Sequence, residues 1–440
     1  MKLTVHPGRP LAGRVSPPGD KSITHRAILL GLLAPEPVEV RGANPGADCA
    51  ATLACARALG ADVAGGGESF TVRCAAIAEP GAVLDCANSG TALRLLAGVL
   101  AAQPFHSVLT GDESLVRRPV DRVIAPLRRM GASLWARGGD RFPPLSIRGA
   151  ALSPIEYRLP VASAQVASCI LLAALAANGE TVIQIPGPAR DHTERMLRGA
   201  GVPIETWEGD AGGRTVRLAG PARPRGGRFA IPGDFSAAAF FLAAAAATPG
   251  SDVTVTGVGL NPLRTGLLDV LERMGADVTR ENVREEMGEP VGDLRMRGAG
   301  ALRAFDVPAE WAPRMIDEAP AWAIAASAAC GTSRLRGAAE LRVKESDRIA
   351  LLARNLARLG LEARELPDGL EVTGGSPAGG TVETGGDHRI AMAFAVLGAR
   401  ARGPLTLDDT RNIATSYPGF AAAYAALGGE LGDGAGVRAR

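Results

Sequence analysis

The sequence predicts an α/β protein of two domains, each assembled from three copies of one small unit, and three observations carry the prediction. The chain has 440 residues, too many for one ordinary hydrophobic core and suited to two domains of roughly 200 residues each. A short phrase, a helical stretch ending in Leu or Met followed by Gly-Ala or a close variant, recurs six times along it. Strand-like runs follow these phrases, as repeated strand–helix–strand units require.

The phrase reads ArgAlaLeuGlyAlaAsp at 57–62, ArgArgMetGlyAlaSer at 128–133 and LeuArgGlyAlaGlyVal at 197–202. It returns as GluArgMetGlyAlaAsp at 272–277, AlaArgLeuGlyLeuGlu at 357–362 and AlaAlaLeuGlyGlyGlu at 425–430. The marker glycines, Gly60, Gly131, Gly201, Gly275, Gly360 and Gly428, are spaced by 71, 70, 74, 85 and 68 residues. Each suits the left-handed residue that closes a helix before a strand. Strand-like runs include SerPheThrValArg at 69–73, LeuSerIleArg at 145–148, ThrValArgLeu at 215–218 and LeuGluValThr at 370–373. Gly-Ala is common in a chain this rich in both, but six near-equal spacings argue against coincidence.

The last unit stops soon after Gly428 in a Gly-rich tail, and LysLeuThrVal at 2–5 can supply its missing strand. Three marker glycines precede residue 233 and three follow it. We therefore expect a middle domain of residues 15–232, and a domain that contains both termini, residues 1–14 plus 233–440.

Composition narrows the function classes. Basic residues number 48 and acidic residues 46, so no global field favours nucleic acid or an anionic membrane. The N-terminal stretch has no apolar core of signal-peptide length. The longest apolar run, 237–247, is too short for a bilayer and reads as a buried helix. The six cysteines show no CxxC pair and no clustering with histidine, which argues against a zinc site or disulfide framework and fits a reducing cytoplasm. Only three lysines, Lys2, Lys21 and Lys344, occur among the 48 basic residues. In a chain that otherwise uses arginine, a lysine is a candidate for work that needs a compact ammonium with a tunable pKa.

Several motifs place basic residues at predicted helix starts. ProProGlyAspLysSerIleThrHisArgAla (17–27) turns into an apolar helix from about Ser22 to Leu33. Lys21 stands at its entrance, and Ser22 and Arg26 share a face. This is either an anion site made of free N–H groups, a helix dipole, a hydroxyl and two cations, or an ordinary exposed helix start. AspCysAlaAsnSerGlyThrAlaLeuArgLeuLeu (85–96) offers Asn88 and Ser89 as caps, Gly90 as a point of close approach to a ligand, and Arg94 one turn in; by itself it also reads as a plain N-cap. Arg118 precedes a proline and is held extended.

Ser163 and Gln165, in ValAlaSerAlaGlnValAlaSerCys (161–169), begin a long apolar helix, with the Gln either capping or touching a substrate. Arg190 opens the polar cluster ArgAspHisThrGlu (190–194). Lys344 and Arg348, in LeuArgValLysGluSerAspArgIle (341–349), are four apart on a predicted helix with Glu345 beside them, a pattern that also suits a solvated charged face. His388 and Arg389 start an apolar helix in GlyGlyAspHisArgIleAlaMet (385–392). Asp317 and Glu318 precede another in MetIleAspGluAlaPro (315–320). The set says more than any member: two anionic small molecules gripped between two domains would need this arrangement. No phosphate-binding GxxxxGK[ST] loop and no dinucleotide glycine fingerprint occur.

Taken in order, ProGlyAspLysSer with HisArgAla, AsnSerGlyThr with Arg94, ArgArgPro, SerAlaGln, ArgValLysGluSerAspArg and AspHisArgIleAlaMet resemble the signature motifs of the enolpyruvylshikimate-phosphate synthase family. The resemblance runs from the first strand to TyrProGlyPhe at 417–420. It implies two inside-out α/β barrel-like domains, each of three βαβαββ repeats around buried helices, with the active site in the cleft between them. It implies transfer of the enolpyruvyl group of phosphoenolpyruvate to the 5-hydroxyl of shikimate 3-phosphate, with release of phosphate, in the shikimate pathway of aromatic amino-acid biosynthesis.

By the same resemblance, Lys21, Ser22, Arg26, Ser163, Ala164 through its backbone, Gln165, Arg190, Asp317 and Lys344 bind shikimate 3-phosphate. Lys21, Gly90, Arg118, Gln165, Arg348 and Arg389 bind phosphoenolpyruvate. Asp317 is expected to take the hydroxyl proton, Glu345 with Lys21 to handle the methylene proton, and His388 to assist. No cofactor, metal, nucleic acid or membrane is expected, and the protein is expected to be a cytoplasmic monomer.

The sequence departs from the best-known form of the family at Ala87, where Gly often stands, at Glu340, where some members have Asn, and at Thr415, where some carry a lysine. Two rivals remain at this stage. One is the enolpyruvyl transferase acting on UDP-N-acetylglucosamine, whose loop cysteine and N-terminal Lys-Asn motif are not found here. The other is a non-catalytic repeat clamp, which would need a basic stripe rather than cations at discrete helix starts.

Overall fold

The computed structural model describes residues 1–433. Residues 434–440, which the expected terminal-containing domain includes, lie outside the described residues. The chain divides into two units. One comprises Gly19–Ile231 with Glu285–Glu289; the other comprises Met1–Pro18, Pro232–Arg284 and the chain from Pro290 onward. Residues 15–18 and 232, expected in the middle domain, belong to the unit that contains the N-terminus, and 285–289 belong with the middle of the chain.

Each unit is built on three four-stranded sheets. In the Gly19–Ile231 unit one repeat is complete in sequence. Leu84–Asp85 leads through helix Gly90–Leu100 to His106–Thr110, then through helix Asp121–Arg129 to Ser133–Ala136 and Phe142–Arg148. The first two strands are parallel and the last pairings antiparallel, which is a βαβαββ unit. Glu156–Arg158, Gly179–Ile185, Ile204–Glu208 and Arg214–Gly220 repeat the pattern. The remaining sheet takes its parallel edge strand, Gly227–Ala230, from the far end of the segment.

The other unit also borrows. Ala12–Val15 is the parallel edge beside Asp252–Gly259. The N-terminal strand expected at 2–5 is Leu3–His6, and it lies between Leu405–Leu407 and Glu430–Asp433.

The sheets face outward and the core lies on helices. Lys21–Leu33, Gly90–Leu100 and Ala164–Ala174 in one unit, and Phe235–Ala247, Ala319–Ala326 and His388–Leu397 in the other, are buried on nearly every face. Past the polar residues near their N-termini they are apolar all round, as buried helices are. Each unit's helices and inward strand residues form one contiguous apolar core, in which each buried Leu, Ile or Val contributes roughly 1.5–3 kcal/mol. The second, outer helix of a repeat buries one face; Asp121–Arg129 buries Val123, Ile124 and Leu127 and leaves its arginines outward.

The six marker glycines close these outer helices. All have positive φ, from 76° to 110°. At Gly60 the N–H bonds Arg57 O at 3.0 Å and the next N–H, of Ala61, bonds Ala56 O at 3.0 Å, the paired bonding of a Schellman cap. The same pairs recur at Gly131, Gly201, Gly275, Gly360 and Gly428. Among the described residues, no helix is long and apolar enough to cross a membrane.

Candidate active site

In the Gly19–Ile231 unit the first turns of the three buried helices are laced together. Asp20 caps helix Lys21–Leu33 by accepting the Ile23 N–H at 2.9 Å, and Ser89 caps Gly90–Leu100 through Ala92 N at 3.1 Å. Ser163 caps Ala164–Ala174. Helix starts of this kind carry free N–H groups and a positive dipole, and favour anions. Lys21, half-buried, pairs with Asp48 through Nζ at 2.7 Å.

Arg26 is buried. It donates to Thr193 Oγ1 at 2.7 Å, Ser168 Oγ at 2.7 Å and Ser22 O at 2.8 Å. Burial pushes its pKa down to about 10, opposed by Glu194, Asp20 and Glu289, so it stays protonated at neutral pH. His25, fully buried, links helices through Thr52 Oγ1 at 2.7 Å and Ser89 Oγ at 3.4 Å. Burial lowers its pKa to about 3, with Asp48 opposing and Lys21 and Arg26 reinforcing, so the ring is neutral. Sequence reasoning placed no weight on His25, although it lies inside the first motif.

The capping alternative for Gln165 falls away here. Gln165 neither caps its own helix nor stands apart from the protein: its Oε1 accepts from Arg94 Nη1 at 2.8 Å and its Nε2 donates to Thr91 Oγ1 at 3.0 Å. Gly90 also stands in close approach to a side chain of the protein. A Cβ there would lie 2.6 Å from Arg94 Nη1, which also bonds Gly90 O at 3.3 Å, while Arg94 Nη2 bonds Pro119 O at 2.9 Å. Arg94 thus braces the Gly90 turn, Gln165 and the Arg118–Pro119 segment. Arg118 is extended, φ −89° and ψ 140°, as a residue before proline should be. It donates to Asn88 Oδ1 at 2.7 Å and Ser114 Oγ at 2.9 Å. Arg190 precedes helix His192–Gly199, and its carbonyl accepts from Arg214 at 3.4 Å.

The second constellation lies in the other unit. Asp317 occupies a single 3₁₀ turn, Ile316–Glu318, at the entrance to helix Ala319–Ala326. Its Oδ1 lies 3.5 Å from Arg348 Nη1 and 3.7 Å from Lys344 Nζ, and its carbonyl accepts from Arg389 Nη1 at 3.1 Å. Lys344 also pairs with Glu340 at 2.9 Å. Arg348 is 0 % exposed. It pairs with Asp387 at 2.8 Å and closely with Glu345. Burial disfavours the guanidinium, yet Asp387, Glu345 and Asp317 together raise its pKa well above the usual value. Burial likewise pushes Asp387 up, but Arg348 more than offsets it and holds the carboxylate below its ordinary range.

The expectation that Lys344 and Arg348 share a helix is not met. Asp347 caps the helix by accepting Ala350 N at 3.0 Å, so the helix is Arg348–Arg358 and Lys344 stands before it, after the 3₁₀ segment Ala339–Val343. Asp387, missed from sequence, caps helix His388–Leu397 through Arg389 N at 2.9 Å and accepts Ser346 Oγ at 3.0 Å. Its position before HisArg in the last motif was the available signal. His388 is buried. Thr415 bonds within its own turn, to Asn412 O at 2.7 Å. Among the described residues, no group of three or more His, Cys, Asp or Glu is arranged to hold a metal.

Each unit therefore gathers buried helix N-termini with cations beside carboxylates or polar groups that can exchange protons, which suits binding small anions and moving protons on them. Comparison with known proteins agrees. The EPSP synthase (3-phosphoshikimate 1-carboxyvinyltransferase) family model matches residues 5–423. A 3-phosphoshikimate 1-carboxyvinyltransferase from an Anaeromyxobacter species is 51 % identical over 436 residues, covering 98 % of this chain and 99 % of the relative. One from a Geobacter species is 48 % identical over 421 residues, covering 95 % and 97 %. The solved EPSP synthase from Acinetobacter baumannii superposes with a TM-score of 0.87 at 42 % identity, covering 98 % of this chain and all of that one. The chain belongs to the EPSP synthase family.

Proposed function

We propose that the two constellations act on one pair of substrates in the reaction of the family, in which the enolpyruvyl group of phosphoenolpyruvate passes to the 5-hydroxyl of shikimate 3-phosphate and phosphate is released. Lys21, Ser22, Arg26, Ser163, the Ala164 N–H, Gln165, Arg190, Asp317 and Lys344 hold shikimate 3-phosphate. Lys21, Gly90, Arg118, Gln165, Arg348 and Arg389 serve phosphoenolpyruvate. Arg348 does so from behind Asp317 and Glu345, since it is buried against both.

The 5-hydroxyl oxygen bonds to C2 of phosphoenolpyruvate as Asp317 takes the hydroxyl proton. C3 gains a proton from the Glu345 and Lys21 groups, with His388 assisting. The tetrahedral adduct then returns a proton from C3, the C2–C3 double bond re-forms and the C–O bond to phosphate breaks. Cations at helix starts stabilise the charge on the leaving phosphate.

The observation that carries this reading is the Asp317 carboxylate, 17 % exposed at its side chain and set against Lys344 and Arg348. It is a base held among ligand-binding cations. Asp317→Ala should lower kcat about 10²- to 10⁴-fold, far more than it raises KM for shikimate 3-phosphate, read by phosphate release. Unchanged turnover would remove Asp317 from the role. Shikimate 3-phosphate, and not UDP-N-acetylglucosamine, should support that release. The protein is taken to act as a cytoplasmic monomer; a dimer mass by light scattering would overturn the latter.

A further inference from the structure

Beside Asp317 stands a buried polar chain that the proposed chemistry does not use. Glu318 is 0 % exposed, and its Oε1 accepts the Ser236 hydroxyl. Arg264, also buried, donates from Nη2 to Ser236 Oγ at 3.1 Å and to Asp234 Oδ1 at 2.8 Å. Asp234 Oδ1 in turn accepts the Ser236 N–H at 2.8 Å. The chain ties three segments together: the start of helix Phe235–Ala247, the residues before helix Gly266–Arg273, and the turn Ile316–Glu318.

Such a chain is costly to build. Two carboxylates and one guanidinium are removed from water, and apolar side chains of similar volume commonly pack there at no loss of stability. What it supplies is a fixed geometry for the turn. A 3₁₀ turn has three residues per turn, so neighbouring side chains leave it about 120° apart. Glu318 points into the core network while Asp317 faces Arg348 and Lys344. The Asp317 carbonyl is held from its own side by Arg389. The residue expected to take the hydroxyl proton is thus clamped through the peptide bond it shares with Glu318. A misplacement of about 1 Å at such a group can cost about 100-fold in rate.

We propose that Glu318, anchored by Ser236 and Arg264, is a positioning residue that sets the direction of the Asp317 carboxylate. This rests on the reading of Asp317 as the base, and the test separates the two. Steady-state kinetics of the full chain with shikimate 3-phosphate and phosphoenolpyruvate should show kcat of Glu318→Ala lowered about 100-fold, with both KM values within about threefold. Ser236→Ala, which removes the other end of the bond with little change of volume, should fall in the same direction and carries the test if Glu318→Ala does not fold. Glu318→Gln keeps an acceptor for Ser236 and should stay within about fivefold of the parent, the scale of one hydrogen bond.

In an Asp317→Ala background, Glu318→Ala should cost nothing further, because the residue it positions is gone. A folded Glu318→Ala protein with parental kcat and only a lower Tm would overturn the proposal, as would losses that multiply in the double variant. Full turnover in Asp317→Ala alone would instead sink the base assignment.

Discussion

His25 makes the stability of one unit depend on mild acid, and the dependence can be sized. The ring is fully buried, its two nitrogens face Thr52 and Ser89, and the charged groups around it are Asp48, Lys21 and Arg26. Its pKa falls from 6.5 to about 3, chiefly by burial. Because the folded value lies below the unfolded one, the unfolded chain takes up the proton first. The stabilisation is complete above about pH 6.5 and is lost progressively as pH falls toward 3. At about 1.4 kcal/mol per pH unit, His25 alone should remove about 2 kcal/mol between pH 6.5 and about pH 5.

Urea unfolding followed by circular dichroism at several pH values would measure the slope. His25→Gln, which keeps one hydrogen bond but does not titrate, should start less stable near neutrality and lose stability with a slope smaller by about one proton. Carboxylates elsewhere contribute equally to both proteins. If parent and variant lose stability in parallel from about pH 7 to about pH 5, the ring is not held neutral and the reasoning fails.

Two further perturbations follow from contacts that sequence alone did not disclose. Asp387→Ala should cost about 3–5 kcal/mol, because it breaks a buried pair and leaves Arg348 with only Glu345 and Asp317. The Arg389 N–H also loses its cap. Calorimetry should show Tm lower by about 6–20 °C for a unit of this size, and a drop under about 2 °C would refute the account. Gly90→Ala forces a Cβ to 2.6 Å from an Arg94 guanidinium pinned by Gln165 and Pro119. KM for phosphoenolpyruvate should rise about tenfold, equal to about 1.4 kcal/mol, with Tm changed by a few degrees at most. An unchanged KM would show that Arg94 can move aside freely.

Much of this molecule is legible in one dimension because its signals are local. A Schellman cap is decided within six consecutive residues, so Gly60, Gly131, Gly201, Gly275, Gly360 and Gly428 announce their helix ends without reference to the rest of the chain. Helix Phe235–Ala247 is apolar on every face, which is enough to declare it buried. The positions of Lys21, Ser163, Asp317, His388 and Arg389 at or beside helix starts are likewise matters of neighbouring residues.

The partners of those residues are not local, and only the tertiary structure decided them. Arg26 reaches Thr193, 167 positions away. Arg348 is claimed by Asp387, 39 positions on, and Glu318 by Ser236, 82 positions back. Gly90 reads from sequence as room for a ligand, and the structure adds that Arg94, braced from a separate helix, also comes close enough to leave no space for a Cβ there. Lys344 reads as helical until Asp347 caps the helix one turn later. A backbone conformation is set by the few residues whose atoms can clash or bond within a turn. A buried charge must find its counter-charge wherever packing brings one, and packing is a property of the whole unit.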